Sequence, residues 1–183
     1  YDESLEYEVR IMIDVDKCRI TRYPAAVLGQ PAAPVEKIDE TIRRLVEKMT
    51  DIMIENKGMG LAAPQAGVGL RLFIISMDGS REQVRAYVNP TVTPAGDLEE
   101  NGEGCLSVPG IYPKIRRYKR ATVTATDLDG HEFTEEADGL YARCLQHESD
   151  HLDGMTIVKR MGAAAKIANR RQIKKLIDKH EGK

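Results

Sequence analysis

The clearest periodic pattern of apolar residues predicts an amphipathic helix over residues 35–56. Apolar side chains recur there at steps of three and four, which places them on one helix face. The members of this face are Ile38, Ile42, Leu45, Val46, Met49, Ile52 and Met53. Lys57 and Gly58 follow. Because glycine tolerates the left-handed conformation that ends many helices, we expect the helix to stop there.

Short apolar runs in the middle of the chain predict β-strands. The predicted strands cover residues 71–76, 85–92, 120–127 and 131–135. Asp129-Gly130 separates the last two, and this dipeptide is typical of a hairpin turn. A segment of small residues, GMGLAAPQAGVG, connects the first helix to the first of these strands.

The last third of the chain predicts two further helices, over Gly139–Leu152 and Ala163–His180. Asp138 precedes the first of them as a candidate N-cap. Helices and strands come in separate blocks, without regular strand–helix alternation. We therefore predict an α+β fold, with antiparallel β-sheets packed around a central helix, an N-terminal helix and a C-terminal helix. In this interpretation residues 1–183 form a single domain, with residues 1–16 as a terminal arm or strand.

Composition narrows the classes of function. The chain has 183 residues, 42% of them hydrophobic, and a formal net charge of -2. This balance suits one globular domain and argues against DNA or a membrane as a partner. The acidic start carries no signal-peptide pattern, and three cysteines do not indicate a disulfide framework. We therefore expect a reducing compartment. The bacterial cytoplasm is the default location, and an organelle is the alternative.

The strongest chemical signal is His147-Glu148-Ser149-Asp150-His151 on the central helix. Two histidines at i and i+4 project from one helix face, so that both imidazoles can bind one metal ion. Glu148 lies beside the first of them, and its carboxylate would accept a proton from water that a zinc or iron ion polarises. Two surface histidines are the alternative, but only four histidines exist in the chain.

A catalytic metal site usually has three protein ligands and one open position. Downstream of His151 the chain offers Asp153, His180 and Glu181, and none of them is well placed. A thiolate is the alternative third ligand, and Cys105 is the best candidate because glycine and proline surround it. We expect the other two cysteines, Cys18 and Cys144, to be core residues.

Three segments of the chain resemble the signature motifs of peptide deformylases. These segments are GMGLAAPQAG (residues 58–67), EGCLSVPG (residues 103–110) and QHESDHLDG (residues 146–154). They occur in the family's order and approximate spacing. RYPAAVL, at residues 22–28, looks like the early R-Y-P-D-P-x-L segment, with Ala26 in place of the second proline. The resemblance extends over about residues 18–161.

The resemblance implies a metal-dependent hydrolase that removes the formyl group from N-formylmethionyl peptides of nascent chains and releases formate. By similarity, Cys105, His147 and His151 bind the metal, and Glu148 is the general base and then the acid. Oxyanion donors come from the Gln65 side chain and the backbone N–H of Leu106. Fe(II) is the first expectation for the metal, with Zn(II), Ni(II) or Co(II) as alternatives. The implied substrate-binding residues are Met59, Gly60, Glu103, Gly104, Tyr112, Leu140, Arg143 and Cys144.

Two residues of the histidine motif, Ser149 and Asp150, are not expected to bind the metal. Ser149 stands where the family usually has an apolar or aromatic residue, and it lies off the ligand face. Asp150 faces away from the metal, and an ion pair with Arg117 is our hypothesis for it.

The C-terminal helix carries a run of basic residues, which leaves two interpretations open. One is a solvated charged face, and the other is docking to ribosomal RNA, as in similar bacterial enzymes. The basic residues of the helix are Lys166, Arg170, Arg171, Lys174, Lys175 and Lys179.

Two rival functions also stay open at this point. They are a metallopeptidase that uses the H-E-x-x-H motif and a structural metal site in an RNA-binding module.

Overall fold

The computed structural model describes residues 13–182, and within them the strands form one antiparallel sheet. Each strand pairs with its neighbour in the sequence, in the order β1-β2-β3-β4-β5. Helices and this sheet together confirm the predicted α+β class. The predicted terminal arm over residues 1–16 lies mostly outside the described residues. The strands are β1 (Gly60–Ala62), β2 (Leu72–Ile75), β3 (Arg85–Gly102), β4 (Lys114–Thr126) and β5 (Glu132–Asp138), and the helices are α1 (Glu40–Glu55), α2 (Gly139–Leu152), α3 (Ile157–Arg160) and α4 (Ala163–His180).

The strand β2 is buried on both faces, because α1 and α2 pack on opposite sides of it. Alternate side chains point to opposite faces of a strand. Leu72 and Ile74 therefore join the core cluster around α1, whereas Phe73 and Ile75 join the cluster around α2. This explains the uninterrupted apolar run in this strand and makes α2 the central helix of the fold.

The hairpin of β3 and β4 is longer than predicted. The predicted strands over residues 85–92 and 120–127 are both too short, because the sequence between them, which contains proline and glycine, has no clear strand pattern. The pairing continues instead with register shifts between Val88 and Thr91 and between Ala95 and Leu98. Gly96, with φ of 79°, lies in the second shift. A β-bulge accommodates this left-handed residue, and pairing resumes beyond it.

The helix α1 begins five residues later than predicted. Asp39 is the N-cap, and its side chain accepts a hydrogen bond from Ile42 N at 3.2 Å. Upstream, the Asn89 side chain bonds both backbone groups of Val35, at 2.8 and 2.9 Å, which holds that residue out of the helix. The helix ends just before Lys57 and Gly58, as predicted, but the left-handed residue there is Lys57, with φ of 55°, and not Gly58.

The C-terminal elements pack on the loop that follows β3. Ile157, Val158 and Met161 form a third core cluster with Val108, Ile111 and Ile115. The helix α4 contributes only partly buried side chains to this cluster, and none of its residues is fully buried. Its bounds agree with the prediction, as do those of α2. Within residues 13–182, no helix combines the length and the apolar character needed to cross a membrane.

Candidate metal centre

The helix α2 and the loop after β3 bring together three side chains that could bind a metal ion. His151 Nε2 lies 3.2 Å from His147 Nε2 and 3.3 Å from Cys105 Sγ. All three donor atoms lie within 4.8 Å of one another. The third member therefore comes from upstream of the histidines. Asp153, one of the downstream alternatives, instead pairs with Arg71 at 2.9 Å.

Backbone hydrogen bonds hold the loop that carries Cys105. Glu103 N donates to Pro113 O at 3.0 Å, and Val108 N donates to Cys105 O at 2.9 Å. From the N-terminal segment, Tyr23 N donates to Ser107 O at 2.9 Å. These bonds close the loop into a turn, so the thiol faces the two imidazoles.

The donor set fits a divalent metal ion. For a tetrahedral ion with bonds of ~2.1 Å to nitrogen and ~2.3 Å to sulfur, the ligand atoms lie ~3.4 to 3.6 Å apart. The observed separations of 3.2 and 3.3 Å are close to these edge lengths. One thiolate and two imidazoles suit zinc, iron and related transition metals, and three ligands leave a position for a reactant.

A buried carboxylate fixes the orientation of His147. Glu103 Oε1 lies 2.7 Å from His147 Nδ1. The Nδ1–H group donates this bond, which directs the lone pair of Nε2 toward Cys105 and His151. Glu103 is held in turn by Arg117, at 2.6 and 3.1 Å, and by Arg143, at 3.0 Å. Its carboxylate is therefore fully occupied by protein donors.

The same ion network continues to the surface of the protein. Arg117 Nη1 lies 2.6 Å from Asp150 Oδ2, and Arg160 Nη2 lies 2.5 Å from Asp150 Oδ1. The hypothesis of an ion pair between Asp150 and Arg117 is therefore confirmed. Basic and acidic side chains alternate in this series of contacts, so each side chain stabilises the next. The series runs from Arg160 through Asp150, Arg117 and Glu103 to His147.

Electrostatics favour a cation between the three donors. Burial alone would raise the pKa of the Cys105 thiol, but the charges and hydrogen bonds of His151 and His147 outweigh it and lower the pKa well below its usual value. Burial lowers the pKa of His147, yet hydrogen bonds to Cys105 and Glu103 hold it well above its usual value. The negative charges of Cys105 and Glu103, which favour a proton on His147, also favour a divalent cation at this place.

Glu148 lies beside the metal ligands and is 4% exposed. Burial, the largest influence, raises the pKa of its carboxyl to about 7, although His147 and His151 act in the opposite direction. Among the described residues, Glu148 Oε2 has no hydrogen-bond partner, and neither has His151 Nδ1. A carboxyl group with this pKa can both accept and return a proton near neutral pH.

The side chain of Gln65 also contacts one of the three donor atoms, that of Cys105. Its Oε1 accepts a hydrogen bond from Ala62 N at 2.9 Å, so the amide can turn in only one way. Its Nε2 consequently faces the metal ligands, at 3.4 Å from Cys105 Sγ and 3.3 Å from Ser107 Oγ. The side chain thus presents an N–H donor at the centre.

A cavity of about 560 Å³ opens beside these groups. Its wall includes Leu106 and all eight residues that the sequence indicated for substrate binding. Tyr112 and Leu140 are exposed at its rim, and Cys144 is buried in its wall. Glu103 and Arg143 reach it with side chains that are paired to each other. The eight residues are Met59, Gly60, Glu103, Gly104, Tyr112, Leu140, Arg143 and Cys144.

Sequence reasoning missed two polar residues of the site. Arg22 lines the cavity and donates to the backbone carbonyl of Leu106, which connects the N-terminal segment to the Cys105 loop. Ser107 is fully buried against Gln65 Nε2. Both had a usable signal in the sequence, because Ser107 lies inside the cysteine motif and Arg22 opens the RYPAAVL segment.

Comparison with known proteins agrees with this geometry. A sequence model of the polypeptide deformylase family matches residues 17–166. The peptide deformylase of Neisseria gonorrhoeae is 44% identical over 142 residues, which cover 78% of this chain and 85% of the relative. The peptide deformylase of Chromohalobacter salexigens is 39% identical over 165 residues, which cover 90% of this chain and 95% of the relative.

Solved structures give the same result. The crystal structure of a peptide deformylase from Legionella pneumophila superposes with a TM-score of 0.83 at 38% identity, and the match covers 91% of this chain and 98% of that chain. The resemblance indicated by the three motifs is confirmed. The chain therefore belongs to the polypeptide deformylase family, whose members are metal-dependent hydrolases that remove formyl groups.

Proposed function

We propose that Cys105, His147 and His151 hold one divalent metal ion and that this centre hydrolyses the formyl group of N-formylmethionyl peptides. The observation that carries the proposal is the convergence of these three donor atoms within 4.8 Å beside the buried carboxyl of Glu148. The ion supplies a Lewis acid that polarises water and the formyl carbonyl group. The reaction consumes one water and yields formate and a peptide with a free amino terminus.

Glu148 carries the proton through both halves of this reaction. As a carboxylate it accepts a proton from the attacking water, and as a carboxylic acid it returns that proton to the departing amine. The transfer is needed because an amide nitrogen leaves poorly until it is protonated. The raised pKa of Glu148, about 7, supports this exchange, since neither protonation state is strongly disfavoured near neutral pH.

Two donors would stabilise the oxyanion that forms when water attacks the formyl carbon. Gln65 Nε2 is one, because the bond from Ala62 N to Gln65 Oε1 turns the nitrogen toward the centre. The backbone N–H of Leu106 is the other, on the loop that carries Cys105. A donor placed where negative charge develops contributes ~3 kcal/mol to the transition state.

The cavity suits an extended peptide with an apolar first side chain. We assign the methionine side chain to the wall formed by Met59, Leu140 and Cys144, with Tyr112 at the rim. Glu103 has no free oxygen for the substrate, because His147, Arg117 and Arg143 occupy it. Its role in this proposal is to orient His147.

The decisive test is formate release from formyl-Met-Ala-Ser by anaerobically purified protein. We compare wild type with Glu148→Ala and measure metal content in both. The variant should keep its metal and lose at least ~10²-fold in kcat, because general acid–base catalysis by one side chain contributes that much or more. No release by metal-loaded wild type would refute the proposed function.

Fe(II) is our proposal for the native metal, with Zn(II), Ni(II) and Co(II) as alternatives that the same ligands accept. A thiolate and two imidazoles form a site of intermediate softness, which supports iron as well as zinc. Elemental analysis of protein purified without oxygen should find iron at about one ion per chain. Zinc at that level with full activity would overturn this assignment.

Ribosomal RNA is our proposal for a partner of α4. Its six basic side chains are all exposed, and its few partly buried apolar residues pack inward on the third core cluster. Substituting Arg171 and Lys175 by glutamate should weaken ribosome binding and lower its salt dependence, because fewer phosphates are contacted. The same change at Arg116 and Lys119, exposed on β4, is the control. Equal binding by both variants and wild type would remove the proposal.

We place the protein in the bacterial cytoplasm as one catalytic domain. The bacterial source of the two relatives named above and the three free cysteines among the described residues support this location. Fractionation of the source cells should find the protein with cytoplasmic markers. Recovery in an organelle would support the alternative location instead.

A further inference from the structure

The backbone of Gly60 lies directly against the carboxyl group of Glu148. A methyl group built on Gly60 would overlap Glu148 Oε1 and lie 2.9 Å from Cδ and 3.0 Å from Cγ. Real side-chain carbons essentially never come this close to another heavy atom, so either the strand or the carboxyl group would have to move.

Backbone conformation does not explain glycine at this position. Gly67, the last residue of the same motif, has φ of 88°, where side chains are strained. Gly60 lies outside that left-handed region and pairs with Ile75 as an ordinary strand residue. The requirement for glycine is therefore one of space, and the space is occupied by Glu148.

We propose that Gly60 is a positioning residue for Glu148: its missing side chain leaves the volume that the carboxyl group needs to reach the reacting atoms. This inference rests on the proposed role of Glu148 as the proton carrier. It assigns Gly60 a function beyond lining the substrate cavity.

The strand cannot retreat to make room for a larger residue. On one side of Gly60, Ser76 N donates to Met59 O at 2.8 Å. On the other side, Ala62 N donates to Gln65 Oε1 at 2.9 Å. A methyl group at Gly60 would therefore displace the carboxyl group of Glu148, which is the mobile end of a side chain.

The kinetic test compares Gly60→Ala with wild type, both loaded with metal. We expect kcat to fall ~10²-fold, because a catalytic group displaced by ~1 Å loses about that factor. Metal content should stay at the wild-type level because no ligand is changed, and the loss should appear in kcat more than in KM even though Gly60 lines the cavity. An unchanged kcat would overturn the proposal.

The second test measures thermal unfolding of Gly60→Ala in three backgrounds, each with excess metal. In wild type and in Glu148→Gln, which keeps the volume of the side chain, the substitution should lower Tm by ~4 °C. In Glu148→Ala the space is free, and the substitution should not lower Tm. Gly102→Ala, in a strand with open space around its Cα, gives the intrinsic cost of the exchange.

These two tests separate the inference from the proposed function. The unfolding series needs no turnover, so it reports the spatial relation of Gly60 and Glu148 even if wild type releases no formate. A loss in Tm that is equal in all three backgrounds would refute the spatial relation. A normal unfolding series combined with an unchanged kcat would refute the positioning role alone.

Discussion

At the scale of the residue, Glu103 decides how the centre is held. It is 7% exposed and bonds to one imidazole and two guanidinium groups. Burial alone would raise the pKa of its carboxyl, but hydrogen bonds from His147 and Arg117 hold that pKa below its usual range. Glu103 therefore stays ionised and keeps the proton of His147 on Nδ1, which leaves Nε2 free for the metal.

Glu103→Gln should weaken metal binding by ~10- to 100-fold, the usual cost of removing a carboxylate behind a histidine ligand. The amide has nearly the same shape but lacks the charge that draws the N–H of His147. Competition with a chelator measures the affinity. Glu99→Gln is the control, because Glu99 is 32% exposed and 3.8 Å from Arg143. Equal metal affinities in both variants would show that the charge of Glu103 is not needed to orient His147.

At the scale of the element, Arg117 joins three parts of the fold. It lies on β4, bonds Glu103 on the cysteine loop and pairs with Asp150 on α2. It also donates to the carbonyl oxygen of Gln146 at 3.5 Å. The guanidinium group is almost fully buried, so its removal would take one cation from the buried carboxylate of Glu103 and one from the partly buried carboxylate of Asp150.

Arg117→Ala should lower the free energy of unfolding by ~3 to 5 kcal/mol, the typical cost of breaking a buried ion pair by removing one partner. Its neighbour Arg116 is exposed, and Arg116→Ala should change stability by less than ~0.5 kcal/mol. Urea unfolding of both metal-loaded variants gives the comparison. Similar free energies of unfolding for the two variants would mean that water replaces the ion pairs of Arg117 at little cost.

At the scale of the whole molecule, the candidate metal site connects parts that are distant in the sequence. Cys105 belongs to the loop that packs on α3, whereas His147 and His151 belong to α2 and its contact with the sheet. An ion held by all three stabilises only the folded arrangement, because the unfolded chain does not keep the ligands together.

Removing the metal with a chelator should therefore lower Tm by on the order of 10 °C. A ligand present at 1,000 times its Kd contributes ~4 kcal/mol, and one kcal/mol corresponds to ~2 to 4 °C in a chain of this size. In Cys105→Ala, Tm should already be low and respond little to the chelator. A chelator effect of full size in that variant would place the metal elsewhere.

How much the sequence predicted depended on whether a feature is local. The bounds of α2 and α4 were correct because helical periodicity acts within a few residues. The predicted N-cap of α2, Asp138, stands at that position but makes no side-chain capping hydrogen bond. Residues 35–39 left the predicted helix because Asn89, distant in sequence, binds the backbone of Val35. The length of the β3–β4 hairpin was wrong for a similar reason, since cross-strand pairing continued past glycine and proline.

The sequence by itself determined that His147, Glu148 and His151 share one part of a helix, because a spacing of four residues is a local property. Three motifs also sufficed for the family. The motifs also indicated Cys105 as the third member, and the tertiary structure brings its thiol next to the histidines. Only the tertiary structure showed that Glu103 bonds His147 Nδ1 and that Gly60 lies against Glu148. Each of these contacts joins residues at least 40 positions apart, and such distances follow from packing in three dimensions.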